Sequence, residues 1–234
     1  MDREMKGILY GVGVGPGDPE LLSLKAVRVI RESGVIAVPG KTPAETYAYE
    51  IALKAIPEMG SKSLLPLEWS MTKDKEKLDA VYRRAADAIE EKLREGQSVA
   101  FLTIGDVSVY STFIYVMKLV REDGYRVEMV PGITSFSAAA SRLGVSLTEH
   151  QEMLHVVPVN YGDVADLPGT MVLMKPGKDL REIKRSVIAA GRTAVMIEKC
   201  GLPEEKVYRS VEEMPDEAEY LSTVILFDRD DPVR

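Results

Sequence analysis

The first 130 residues alternate short β-branched runs with amphipathic segments. In the segment Asp74–Glu95, apolar residues recur every three or four positions and charged residues fill the opposite face, which predicts a long surface helix. The predicted strands are Gly7–Gly13, Val35–Val38, Ser98–Thr103 and Arg126–Val130, and the predicted helices are Leu24–Ile30, Ala44–Ala55, Asp74–Glu95, Ser111–Glu122 and Ser135–Leu143. Successive strand-then-helix units are typical of a parallel sheet covered on both faces, so we predict a mostly parallel five-stranded sheet here.

After about Thr134 the pattern changes, because strands become more frequent than helices. Strands are predicted over Glu152–Pro158, Gly169–Met174, Thr193–Glu198 and Ser222–Phe227, with a helix between them only over Asp179–Ala190. Fewer helices between strands indicate a mixed sheet. We therefore expect an α/β protein with two α/β domains, residues 1–131 and 132–234.

The composition narrows the classes of function. The chain has 234 residues, a formal net charge of −7 and 45% hydrophobic residues, enough apolar content for a folded core. A single cysteine, Cys200, cannot form an internal disulfide, and no apolar run reaches the roughly 18 residues of a membrane span, so we expect a cytoplasmic protein with no membrane association. The acidic balance disfavours nucleic-acid binding. Because the only histidines are His150 and His155, we expect no metal site.

Three glycine-containing loops follow predicted strands of the first sheet. They are Gly11–Glu20 (GVGVGPGDPE), Thr103–Thr112 (TIGDVSVYST) and Val130–Ser135 (VPGITS). In open α/β sheets, ligands bind outside the carboxyl ends of the strands, so the three loops together predict one ligand crevice. Each loop also has a plainer interpretation, which is a tight turn without a ligand for the first, an Asx turn at Asp106 for the second, and a helix cap at Thr134 or Ser135 for the third.

The first loop does not match a nucleotide-binding motif. A G-x-G-x-x-G pattern begun at Gly11 reaches Pro16 at its last position, and one begun at Gly13 reaches Asp18. No P-loop motif and no G-x-S-x-G nucleophile motif occurs, and neither histidine lies in the three loops. A site without acid–base machinery favours a reaction that depends on positioning and desolvating two reactants.

The segments GVGVGPGDPELLSLKA, LTIGDVSVYST and VPGITSFSAAASRLG, in this order, resemble the tetrapyrrole methylase family, the class III S-adenosylmethionine-dependent methyltransferases. EMLHVVPV and GTMVLMKPGKDL are similar to the second domain of that family, so the resemblance covers nearly the whole chain. Within the family, SVYSTF and VPGITSFSAAASRLG most resemble the precorrin-2 C20-methyltransferase branch of cobalamin biosynthesis, which includes the cobalt-factor II enzyme.

The resemblance implies a two-domain protein, usually a homodimer, with its active site in the cleft between the domains. S-adenosylmethionine would be the methyl donor and a tetrapyrrole the substrate, and any cobalt would arrive within that ring. The donor-binding residues that carry over are Val14, Gly105, Asp106, Val109, Thr134, Ser135 and Met174. The residues that would face the tetrapyrrole are Gly13, Gly15, Pro16 and Gly17, and the candidates for polar assistance to catalysis are Asp18 and Tyr110.

Several alternatives stay open. Within the family, the alternative activities are methylation of another ring position, diphthine synthesis and methylation of rRNA. The acidic charge of the chain argues against rRNA as a substrate. Outside this activity, it would be a nicotinamide-dependent oxidoreductase, or a family member that binds a ligand without catalysis. Lys175 and Lys178 either meet substrate carboxylates or lie in an exposed turn. Because the substrate is a polycarboxylate and the chain is acidic, we expect lysines and arginines to make the cleft locally positive.

Overall fold

The computed structural model describes residues 7–42, 46–69, 74–158 and 167–228. Its helices are α1 (Leu24–Glu32), α2 (Tyr47–Ala55), α3 (Lys75–Arg94), α4 (Phe113–Glu122), α5 (Ser135–Leu143) and α6 (Leu180–Ala190). Its strands are β1 (Leu9–Gly13), β2 (Val35–Pro39), β3 (Ser63–Leu67), β4 (Val99–Thr103), β5 (Val127–Val130), β6 (Leu154–Pro158), β7 (Thr170–Met174), β8 (Thr193–Glu198), β9 (Lys206–Tyr208) and β10 (Ser222–Phe227). The chain divides into two compact units, Met1–Thr134 and Ser135–Arg234.

The first unit contains one five-stranded sheet of order β3-β2-β4-β1-β5, in which all the pairs are parallel. This confirms the predicted parallel sheet. β4 and β5 flank β1, so that Gly13 lies opposite Thr103 and Val12 lies opposite Val130. Because parallel strands end at the same edge of a sheet, the loops that follow β1, β4 and β5 begin side by side.

The hydrophobic pattern does not predict β3, which the structure adds to the first sheet. Pro66 interrupts the sequence SLLPL of this strand and has no N–H to donate to a neighbour. The strand is tolerated because it lies at the edge of the sheet and pairs only with β2. β9, the other strand that the pattern misses, is also at a sheet edge and is three residues long.

The helix boundaries follow from local capping. Asp74 caps α3, since its Oδ1 accepts hydrogen bonds from the backbone N–H groups of Glu76 and Lys77. α4 begins at Phe113 rather than at the predicted Ser111, because the Ser111 hydroxyl accepts a hydrogen bond from Phe113 N at 3.2 Å. The predicted start of α2 at Ala44 lies outside the described residues.

Two aromatic rings fix α4 against the centre of the first sheet. Phe101 on β4 and Phe113 on α4 are fully buried, and their ring centroids are 5.4 Å apart. On β1, a Cβ added to Gly11 would lie 2.3 Å from the Phe113 ring, so the absent side chain makes room for that ring. The start of α4, and with it the end of the loop after β4, is therefore held by core packing.

The second unit contains a five-stranded sheet of order β6-β7-β10-β8-β9, which confirms the prediction of a mixed sheet. β6 and β7 are parallel, and the other neighbours are antiparallel. Alternate residues of β7, β8 and β10 pack on opposite faces of the sheet. One face carries Met171, Met196 and Val224 with Leu180 and Val187 of α6, and the other carries Val172, Val195 and Ile225 with Ala139 and Leu143 of α5.

Candidate active site

The three predicted loops meet at the carboxyl ends of β1, β4 and β5. The first two are joined by a short antiparallel bridge, in which Gly15 N donates to Gly105 O at 3.2 Å and Gly105 N donates to Gly15 O at 2.8 Å. Val14 N also donates to Thr103 O at 3.0 Å. The structure thus brings the loops after β1 and β4 together through backbone contacts that need no particular side chain.

The third loop approaches the other two so closely that only glycine fits. A Cβ added to Gly132 would lie 2.2 Å from Gly105 O, and one added to Gly13 would lie 2.7 Å from the same oxygen. The added Cβ atoms would meet backbone atoms, which cannot move away as the end of a flexible side chain can. Gly13 and Gly132 therefore allow the three loops to pack into one scaffold.

Asp106 ties the second loop to the third. Its Oδ1 accepts hydrogen bonds from Ser108 N at 2.8 Å and from the Ser108 hydroxyl, and its Oδ2 accepts one from Gly132 N at 2.9 Å. Burial by itself would raise the pKa of Asp106, which is 8% exposed, but the hydrogen bonds from Ser108, Gly132 and the Val107 backbone outweigh it and lower that pKa below its usual value. The carboxylate is held ionised by the protein's own donors.

The Asx turn at Asp106 is therefore present, but it is only half of what this residue does. Sequence reasoning missed the partners Ser108 and Gly132. The spacing Asp-x-Ser after a glycine is a recognisable signal for the first of them, because Asp side chains commonly accept from the backbone two residues further on. Gly132 carries no such local signal, since it lies 26 positions from Asp106 along the chain.

Tyr110 has a strained backbone in the second loop. Its φ is +48°, which is unusual for a bulky residue, and the residue is 52% exposed. The next residue, Ser111, is buried and shares a hydrogen bond of 3.2 Å with the Thr103 hydroxyl. Asp106 and Ser111 thus anchor the loop on both sides of Tyr110. Strain that is enforced in this way is concentrated at functional sites.

The first loop contributes mainly structure. The segment Gly13–Gly17 is buried, and Val14 is 0% exposed, so these residues support the loop from within. Asp18 is half-buried and caps the 3₁₀ turn Pro19–Leu21, with its Oδ1 accepting a hydrogen bond from Glu20 N at 2.9 Å. The structure therefore gives Asp18 a capping bond in addition to any role in catalysis.

Ser135 ends the third loop and begins α5. Its hydroxyl oxygen is buried and makes no hydrogen bond within the described part of the chain. Buried hydroxyl groups nearly always have a partner, because leaving one unsatisfied costs about 1–3 kcal/mol. This oxygen is thus available to a polar group of a ligand. Thr134 and Val109, the neighbouring predicted residues, are half-buried.

The remaining predicted residue, Met174, is the half-buried last residue of β7 in the second unit, opposite Thr223 of β10. His150 is exposed, and His155 Nε2 lies 3.0 Å from Pro168 O. Over the described ranges, no three His, Cys, Asp or Glu side chains are grouped as metal ligands would be. Within the same ranges, no helix is both long enough and apolar enough to cross a membrane.

Comparison with known families identifies this arrangement of loops. The model of the family described as Tetrapyrrole (Corrin/Porphyrin) Methylases matches residues 8–215, which include the three loops and most of both sheets. The chain belongs to the tetrapyrrole methylase family. This confirms the family that the sequence motifs resemble. The alternative hypothesis of a nicotinamide-dependent oxidoreductase is therefore set aside.

Two relatives in the family match most of the chain. A protein of Methanocaldococcus jannaschii named "probable cobalt-precorrin-2 C(20)-methyltransferase" is 41% identical over 194 residues, which cover 80% of this chain and 79% of that protein. A Sinorhizobium protein named precorrin-2 C(20)-methyltransferase is 32% identical over 240 residues, covering 94% of this chain and 95% of that protein. The similarity therefore extends through both units.

Solved structures share the fold. A uroporphyrin-III-C-methyltransferase of Thermus thermophilus matches with a TM-score of 0.67 and 25% identity, covering 96% of this chain and 94% of that one. A cobalt precorrin-4 methyltransferase matches with a TM-score of 0.72 and 22% identity, covering 96% of both chains. Another structure of the Thermus enzyme, with a TM-score of 0.68, 24% identity and coverage of 95% and 98%, is a complex with S-adenosyl homocysteine.

Proposed function

We propose that the protein methylates C20 of a precorrin-2-type ring in cobalamin biosynthesis, with S-adenosylmethionine as the methyl donor. The observation that carries this proposal is the 41% identity to the C20-methyltransferase of Methanocaldococcus jannaschii. A cobalt-precorrin-4 C(11)-methyltransferase of Priestia megaterium is 25% identical over 226 residues, so the similarity favours C20 over C11 as the methylated carbon. Because the more similar relative is named for the cobalt ring, the cobalt form is the preferred substrate.

The loops of the first unit suit a methyl donor of this kind. S-adenosylmethionine supplies an electrophilic methyl group on a positively charged sulfur. We assign its binding to Gly105, Asp106, Val109 and Thr134 of the first unit, with Val14 supporting the loop from beneath, and to Ser135 and Met174, the two donor-binding residues that the family resemblance implies in the second unit. The buried Ser135 hydroxyl supports this assignment, because it needs a polar partner. Since protein donors already bond both oxygens of Asp106, this residue acts by holding the loop in shape.

The chain's own contribution to the reaction is alignment. The first loop, with Gly13, Gly15, Pro16 and Gly17, is a rigid support for the tetrapyrrole, and the exposed Tyr110 ring offers it a flat apolar surface. Alignment of two bound reactants removes much of the entropic barrier to their reaction. Asp18 and Tyr110 are the candidates for polar assistance, in which the Asp18 carboxylate accepts the proton that leaves the ring after methylation and the Tyr110 hydroxyl donates a hydrogen bond to the ring.

The test is an anaerobic assay of precorrin-2 beside its cobalt complex, each with S-adenosylmethionine. We expect a mass increase of one methyl group and a methyl signal at C20 by NMR, with faster turnover of the cobalt ring. Many turnovers per protein would exclude a role in binding without catalysis. Methylation at another carbon, or no product from either ring, would contradict the proposal.

A homodimer in the cytoplasm is the assembly that the family resemblance favours. Light scattering of the purified protein measures this directly, because a dimer has twice the mass of the 25.8 kDa chain. A mass of one chain at micromolar concentration would contradict the dimer. Fractionation of the source cells would test the location.

A further inference from the structure

Two lysines of the second unit share an unusual backbone conformation at one edge of the sheet. Lys175 directly follows β7 and Lys199 directly follows β8, and their φ angles are +57° and +50°. This left-handed region is uncommon for residues with a side chain, and it is enriched in Asn, Asp and His rather than in Lys. Backbone strain of this kind is concentrated in binding and switch sites, so the two lysines are candidates for a binding site.

The start of β10 and the residue before it hold both lysines in position. Lys175 N donates to Ser222 O at 3.0 Å, and Lys199 N donates to Leu221 O at 2.7 Å. β7 and β8 flank β10 and are both antiparallel to it, so they end at the same edge. Two strand spacings separate them, which places the two lysine backbones about 10 Å apart. Two cationic side chains therefore start from one edge at a distance that two acid groups of one large molecule can span.

Tyr220 orients the Lys175 ammonium group without neutralising it. Lys175 Nζ donates a hydrogen bond to the Tyr220 hydroxyl at 3.0 Å and lies 4.7 Å from the centroid of its ring. The side chains of Lys175 and Tyr220 are exposed, and Lys199 is half-buried. Among the residues that the structure describes, no carboxylate forms an ion pair with Lys175 or Lys199. Both positive charges are thus available to an anion from solution.

The buried acid beside this edge is occupied with positioning Tyr220. Glu198, the last residue of β8, is 2% exposed. Its Oε1 accepts a hydrogen bond from Glu219 N at 2.9 Å, and its Oε2 accepts one from the Tyr208 hydroxyl at 3.2 Å. The carboxylate therefore fixes the backbone immediately before Tyr220. The Glu219 side chain itself is exposed.

We propose that Lys175, Lys199 and Tyr220 form a subsite for carboxylate groups of the substrate. This inference rests on the proposed function, in which the substrate is a tetrapyrrole that carries several carboxylates. A chain with a net charge of −7 repels such a polyanion at long range, so its capture requires unpaired cations at the place of binding. Each lysine binds one carboxylate, and Tyr220 keeps the Lys175 side chain extended for that contact. Lys178 is exposed and has an ordinary position in the short 3₁₀ turn Gly177–Asp179.

The test uses uroporphyrin III, a stable polycarboxylate macrocycle, as the probe of binding. We expect Lys175→Gln and Lys199→Gln each to weaken its binding about threefold to fivefold, and Lys175→Arg to restore most of the affinity. The losses should shrink at high salt, because exposed charges are screened. S-adenosylhomocysteine, titrated in parallel, should bind all variants equally. Lys118→Gln, at an exposed lysine of α4, is the matched control and should change neither affinity.

The outcomes separate this subsite from the proposed function. Unchanged uroporphyrin binding by both glutamine variants would refute the subsite, even if the wild-type protein methylates its ring. An equal loss of S-adenosylhomocysteine affinity would assign the lysines to the donor site and would also overturn the proposal. A wild-type protein that neither binds the macrocycle nor methylates a tetrapyrrole would contradict both proposals. The Lys175→Arg variant guards against a loss that reflects misfolding.

Discussion

The substitution Asp106→Asn should break the tie between the second and third loops with almost no change in side-chain size. In the wild type, one carboxylate oxygen accepts two hydrogen bonds from Ser108 and the other accepts one from Gly132 N. Asparagine keeps one acceptor oxygen and replaces the other with an NH₂ donor. If the remaining oxygen stays with the two Ser108 donors, the NH₂ group faces the Gly132 N–H, which then has no acceptor.

The expected magnitude follows from these contacts. A hydrogen bond to a charged group contributes about 1.5–3 kcal/mol, and a buried donor left without an acceptor costs about 1–3 kcal/mol. Asp106→Asn removes the hydrogen bond from Gly132 N and the negative charge that strengthens the two hydrogen bonds from Ser108. Together, these losses should lower the free energy of unfolding by about 2–4 kcal/mol. Ser108→Ala, which removes one hydroxyl donor and leaves the carboxylate, should cost about 1 kcal/mol.

Urea unfolding of wild type and variant as a function of pH is the assay. Because the pKa of Asp106 is lowered in the folded protein, its stabilisation is complete above the ordinary carboxyl value of about 3.9 and is lost as pH falls through the folded-state pKa. The stability difference should therefore shrink below about pH 4. Asp216→Asn, in the exposed pair with Arg181, is the control and should change little. Equal stability at pH 7, or a difference unaffected by acid, would refute this reasoning.

Three further substitutions probe the same loops. Gly132→Ala would place a Cβ 2.2 Å from Gly105 O and should cost about 3 kcal/mol in urea unfolding, whereas Gly34→Ala, with its nearest atom 3.8 Å away, should cost much less. Tyr110→Asn keeps a residue that tolerates the left-handed backbone but removes the ring, so kcat/KM for the tetrapyrrole should fall about tenfold with stability retained. Ser135→Ala should raise the stability of the free protein, because it removes an unsatisfied buried hydroxyl, and it should weaken S-adenosylhomocysteine binding about tenfold by calorimetry.

Each of these three predictions has an outcome that would contradict it. An alanine at position 132 that is tolerated as well as one at position 34 would mean that the loops can separate at little cost. Full activity of the Tyr110 variant would remove its ring from the substrate site. A Ser135 variant that loses stability but binds the donor product normally would show that its hydroxyl serves the fold.

The fold could be predicted from the sequence wherever a periodic pattern and a cap coincide. Asp74 precedes a long amphipathic run, and α3 begins one residue later. β3 escaped prediction because Pro66 breaks the pattern of a strand, and its edge position, which makes the proline acceptable, is a property of the assembled sheet. Local sequence carries propensity and capping, but it does not carry the order of strands.

The same limit applies to the candidate site. The glycine-rich loops and the expectation that they meet follow from their places after parallel strands. The bond from Gly132 N to Asp106 does not, because it depends on β1 lying between β4 and β5. The approach of Lys175 and Lys199 likewise depends on β10 lying between two strands that precede it in the chain. These contacts join residues through the sheet order, which pattern reasoning leaves open.

In the proposed function, different kinds of group meet different demands of the reaction. In the first unit, Asp106 uses both carboxylate oxygens and Asp18 uses one to accept hydrogen bonds that hold the loops in shape. A methyl transfer that depends on alignment can proceed on such a scaffold, because it needs rigid placement more than a strong base. Capture of a polyanion by an acidic chain is a separate demand, and in the proposed subsite Lys175 and Lys199 meet it. The Asp106→Asn substitution should therefore lower kcat. Replacing either lysine with glutamine should instead raise KM for the tetrapyrrole and leave kcat near its original value.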